Sequence, residues 1–142
     1  MPLLRLLLMM IVLADVGRAD PLAVASAERV ARGMAVLVPD TRLMQAARQQ
    51  ADHMARFGRL GHEGPGGTTV FDRVRSTGFA ACFVAENVAA GQRSDSAVIR
   101  SWMQSPGHRA NILDPRVDHG AIAVTRGRDG RLYWAMVLAG RC

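Results

Sequence analysis

The Asp129-Gly130 pair between two short apolar runs, Gly120–Thr125 and Arg131–Leu138, constrains this chain more than any other feature. The runs are joined by Gly127-Arg128-Asp129-Gly130, and an Asp-Gly pair between two such runs is a hairpin signal. The chain therefore ends in a β-hairpin. What precedes it reads differently. Leu22–Arg32 is rich in helix formers and stops at Gly33. Asp40 offers an N-cap for a longer helix reaching about Phe57, with Leu43, Ala47, Ala51 and Met54 at helical spacing. Thr69 can cap a short helix with Val70, Phe71 and Val74 inward, ended by Gly78. Phe79–Ala90 reads as a mostly buried extended segment. Ser94 caps a helix with Val98 and Trp102 on one side, where Trp102 belongs to the core. Ser105-Pro106 restarts a helical turn, since proline suits the first helical position. Helices first and antiparallel strands later give an α+β class, with helices packed on a sheet.

The first nineteen residues form a separate unit. Arg5 supplies positive charge, Leu6–Leu13 is unbroken apolar sequence, and Gly17 and Ala19 are small. That is the order of a secretory signal, too short to span a bilayer. A buried N-terminal helix or an uncleaved anchor is the competing reading, and cleavage after Ala14 also satisfies the small-residue rule. The expected organisation is a signal at 1–19 and one domain over 20–142, secreted or periplasmic, monomeric, with no transmembrane segment in the mature chain.

All eighteen basic residues are arginine. After removal of residues 1–19, sixteen arginines face eleven acids, a net charge of +5. The arginines are scattered, without blocks or interleaved aromatics, which argues against nucleic acid as a partner. Cys82 and Cys142 are the only cysteines. An even count in an exported chain suggests a disulfide; two free buried thiols are the alternative, since sequence gives no distance between them.

Four histidines offer chemistry. His53 lies in a helix beside Asp52 and reads as solvated or partly packed; His119 has no obvious companion. His62 sits in the loop Gly61-His62-Glu63-Gly64, and His108 in the first turn of a helix, where the dipole disfavours imidazolium. Glu86 is the lone charge in Ala80–Ala90 and, if buried, needs hydrogen-bond partners, a cation or a raised pKa. On local grounds alone, the preferred reading is Glu86 binding backbone amides beside two unrelated loop histidines, since nothing local brings the three groups together.

The stretches Gly61-His62, Phe71-Asp72-Arg73, Gly78-Phe79, Ala85-Glu86-Asn87-Val88-Ala89-Ala90-Gly91 and Trp102-Met103-Gln104-Ser105-Pro106-Gly107-His108-Arg109-Ala110-Asn111-Ile112-Leu113 closely resemble the bacterial branch of one superfamily. It unites cysteine-rich secretory proteins, antigen-five allergens and plant pathogenesis-related proteins. The resemblance runs from about Ala25 to Leu138. It implies a three-layer α-β-α sandwich with a mostly antiparallel central sheet, and a cavity lined by His62, Glu86 and His108. A second family glutamate falls here on Ser105, leaving two histidines and one carboxylate for one weakly bound divalent cation, zinc first among them. Asn87 is placed beside the cavity, with Arg109 and Asn111 bracing the turn that carries His108. The resemblance implies a non-catalytic extracellular module binding a lipid, glycan or peptide. The alternative is a metal-assisted hydrolase using the same cavity.

Overall fold

Strand β4 (Leu132–Arg141) is buried along nearly its whole length, because it has a neighbour on each side and helices on both faces. The computed structural model describes residues 20–142; the expected signal lies outside the described residues. In chain order the elements are α1 (Pro21–Val30), β1 (Val38–Pro39), α2 (Thr41–Phe57), a 3-10 turn (Pro65–Gly67), α3 (Val70–Ser76), β2 (Ala81–Ala90), α4 (Asp95–Met103), α5 (Pro106–Ile112), β3 (His119–Arg126) and β4. The sheet order is β1-β3-β4-β2. Only the β1–β3 pair is parallel, Val38 lying opposite His119.

Alternation along β4 sorts the core into two layers. Tyr133, Ala135, Val137 and Ala139 face α2 and α3, against Leu43, Ala47, Ala51, Met54 and Val74. Trp134, Met136 and Leu138 face α1, α4 and α5, against Leu22, Val98, Trp102 and Ile112. The α-β-α sandwich is therefore present. Alanines on both α2 and the strands allow a close helix–sheet approach, while both tryptophans fill the other layer. Each buried indole N–H is satisfied, Trp102 by the Val88 carbonyl at 3.2 Å and Trp134 by the Gln92 carbonyl at 2.9 Å.

The local signals appear where the residues placed them. Asp40, Thr69 and Ser94 each accept a first-turn amide of α2, α3 and α4. Phe71, expected inward, is 47% exposed, because α3 is short: Val74 is buried and Val70 packs half-buried against the core, while Phe71 lies outside it. His119, expected without a companion, is buried with its Nδ1 on Asp118 at 2.6 Å and its ring edge against Phe79. Cys82 and Cys142 form a disulfide joining the start of β2 to the chain end, across 60 residues. Closing a loop of that size contributes about 4 kcal/mol in the chain-entropy picture. At Gly140 any Cβ would meet the Arg116 carbonyl oxygen at 2.0 Å, so the segment before β3 lies directly on β4.

Candidate functional site

Glu86 occupies the middle of β2 on the face turned toward α2 and α3, opposite Val137 of β4. Its side chain is only 2% exposed. One carboxylate oxygen accepts Nδ1 of His62 at 2.9 Å; the other accepts Nη2 of Arg73, from α3. Arg73 is itself buried, so the pair is a desolvated ion pair whose geometry must compensate the loss of water. Arg73 also donates through Nη1 to the carbonyls of His62 at 3.3 Å and Thr68 at 3.2 Å. Gln50, wholly buried in α2, donates to the carbonyls of Gly61 at 2.6 Å and Glu63 at 3.2 Å. Three successive carbonyls around His62 are thus held by two buried side chains. At Gly64 a Cβ would stand within 3.0 Å of Arg73 Nη1, Gln50 Oε1 and Thr68 Oγ1, so only glycine leaves this clamp undisturbed.

The His62 ring remains 59% exposed. With Nδ1 facing a carboxylate, the nitrogen left open is Nε2. The hydrogen bond from Glu86 raises the His62 pKa above its ordinary value, against the opposing effects of burial and of Arg73. His108 moves the other way: burial lowers its pKa, and the charge of nearby His62 lowers it further.

His108 reaches this place from the opposite layer. Asn87, adjacent to Glu86 and turned to the other face of β2, donates to the His108 carbonyl at 3.0 Å. Asn111 donates to Asn87 Oδ1 at 2.8 Å and to the Glu86 carbonyl at 3.4 Å, tying α5 to the strand. Ser105 is the N-cap residue of α5, but its hydroxyl makes no capping bond. Among the described residues the Arg109 side chain makes no hydrogen bond or ion pair, so the bracing is done by Asn111.

Of the residues singled out by sequence, His62 and Glu86 touch, His108 lies within electrostatic reach of His62, and Asn87 holds His108 through its backbone. Arg73 and Gln50 were missed as partners. The signal for Gln50 was present: a polar residue on the core stripe of α2 between Ala47 and Met54. Among the described residues no group of three or more His, Cys, Asp or Glu side chains is arranged to hold a metal. With both oxygens of Glu86 engaged, the carboxylate does not fit as a third ligand. What the donor set offers is two imidazoles, with Glu86 behind one of them. Five surface cavities of about 300 to 590 Å³ are lined by other residues.

The model of the CAP family, described as the cysteine-rich secretory protein family, matches residues 22–138. This chain is a CAP protein. It is similar to the protein YkwD of Bacillus subtilis (strain 168), 35% identical over 94 residues, which are 66% of this chain and 37% of that protein. Among solved structures, an extracellular SCP-domain protein of Bacillus anthracis str. Ames aligns with TM-score 0.78 and 19% identity, over 85% of this chain and 39% of that one. An outer surface protein of Borrelia burgdorferi aligns with TM-score 0.77 and 18% identity, over 84% of this chain and 89% of that one. These likenesses establish a shared fold. The chain spans under two fifths of YkwD and about two fifths of the Bacillus anthracis protein.

Proposed function

We propose that this CAP protein is a non-catalytic binding module, secreted or periplasmic, acting on an extracellular lipid, glycan or peptide. The Cys82–Cys142 disulfide and the secretory family accord with an oxidising compartment. Among the described residues no helix is long and apolar enough to cross a membrane.

The observation that carries the reading is the double engagement of Glu86 by Arg73 and His62. With both of its oxygens engaged, Glu86 is not free to act as a general base, and a hydrolytic metal site commonly has three protein ligands where His62 and His108 supply two. His62 and His108 would hold a divalent cation weakly, Glu86 fixing the His62 ring through Nδ1 as a supporting carboxylate does. Such a cation would supply positive charge to an anionic group of a ligand.

Incubating the purified protein, with and without zinc, with peptide, glycoside and ester mixtures and with cell-envelope material tests this by mass spectrometry. The expected result is no product above a heat-inactivated control, with the protein still sedimenting with the envelope. Products that disappear in His108→Ala would establish the hydrolase alternative instead.

A further inference from the structure

Two adjoining cavities, of about 590 and 580 Å³, open where β2 leads into α4 and β3 turns into β4. Both are lined by Arg93, Arg126 and Leu132. The two arginines are distant in sequence, which is why their pairing could not be read from the scattered charge. Among the described residues neither belongs to an ion pair, and the Arg93 side chain makes no hydrogen bond. Arg126 donates one bond, from Nη1 to the Gly130 carbonyl at 2.8 Å, which steadies the guanidinium without neutralising it. The neighbouring Arg131 differs, since Asp129 at 3.2 Å and the Tyr133 hydroxyl at 2.8 Å already engage it. Asp95, at the edge of the first cavity, is buried and has a partner of its own. The uncompensated charge of the groove therefore belongs to Arg93 and Arg126.

We infer that this groove is a second binding site, separate from the His62–His108 site, for a glycan chain carrying carboxylate groups. Each guanidinium offers a planar fork matched to a carboxylate. Two such forks in one groove suit a chain with repeated acidic groups, and Leu132 supplies an apolar contact for the C–H face of a sugar ring. Cavities of this size lie in the range that small-ligand sites occupy. Nucleic acid fits poorly, because no aromatic side chain lines either cavity to stack a base. A bilayer fits poorly too, since a concave groove admits a chain more readily than a plane of headgroups. The inference rests on the binding-module reading and names a ligand class for it.

Calorimetry at low salt with a short oligogalacturonate, using the purified protein, tests the assignment. Arg93→Ala and Arg126→Ala should each weaken binding roughly tenfold or more, the scale of a lost charge-assisted contact. Arg100→Ala, which removes an exposed arginine of α4 outside both cavities, should leave affinity nearly unchanged. A neutral cello-oligosaccharide of the same length should not bind. Equal weakening by all three arginine variants, equal binding of the neutral chain, or binding only to phosphatidylglycerol vesicles would overturn the groove. So would an absence of any binding. If instead His108→Ala abolishes binding while the arginine variants retain it, the groove fails and the binding-module reading survives at the other site.

Discussion

Gln50 shows how much of this site depends on groups that never meet a ligand. Its amide, buried in α2, donates to the carbonyls on either side of His62. An apolar replacement of similar size would leave both acceptors without these donors, and an unsatisfied buried polar group costs about 1–3 kcal/mol. Gln50→Leu should therefore lower the urea midpoint by a corresponding amount without changing the slope. Gln49→Leu, one residue earlier and only partly buried, should stay within about 0.5 kcal/mol of the parent. Equal midpoints for the two variants would show that the clamp around His62 contributes nothing to stability. Arg29 illustrates the same economy in the other layer: its buried guanidinium donates to the carbonyls of Ala35, Ile112, Asp114 and Val117, joining α1 to the end of α5.

At the scale of elements, the caps were the most readable part of the chain, because a cap is decided by a few neighbouring residues. Asp40 accepts the Arg42 amide at 2.8 Å at the start of α2, and the Arg42 guanidinium lies against the same carboxylate. The hydrogen bond from the Arg42 side chain is the main reason its pKa falls to about 2. The folded state thus holds the Asp40 proton less tightly than the unfolded chain, whose carboxylate titrates near about 4. Its contribution is present above pH ~4 and lost as pH falls toward ~2. Asp40→Asn keeps the cap and removes the charge. In unfolding measurements across that range the variant should lose stability less steeply than the parent; identical slopes would remove Asp40 from the acid response. Strand β1 was less legible. Val36–Val38 reads as an apolar run, but its parallel partner is set by β3, some eighty residues on, and no local pattern announces such a pairing.

Across the whole molecule, the sandwich was legible because periodicity, caps and the Asp129-Gly130 turn agreed with the family stretches. The site was legible as residues and not as contacts. His62, Glu86 and His108 stood out by type and setting, yet nothing near Glu86 in sequence reveals that Arg73, one helix earlier, occupies its second oxygen. That contact links α3, β2 and the His62 loop, and under the proposed reading it makes the carboxylate a support for His62 instead of a base or ligand. It is the central claim, and a double-mutant cycle on folding stability tests it most directly. Removing one partner of a buried ion pair typically costs about 3–5 kcal/mol, because the other charge is left uncompensated. Arg73→Met and Glu86→Gln should each destabilise on that scale, while the double variant should cost clearly less than their sum. The expected coupling is about 1–3 kcal/mol, as found for groups in direct contact. Additivity within about 0.5 kcal/mol would mean that the two side chains act independently, and that Glu86 is free for chemistry after all.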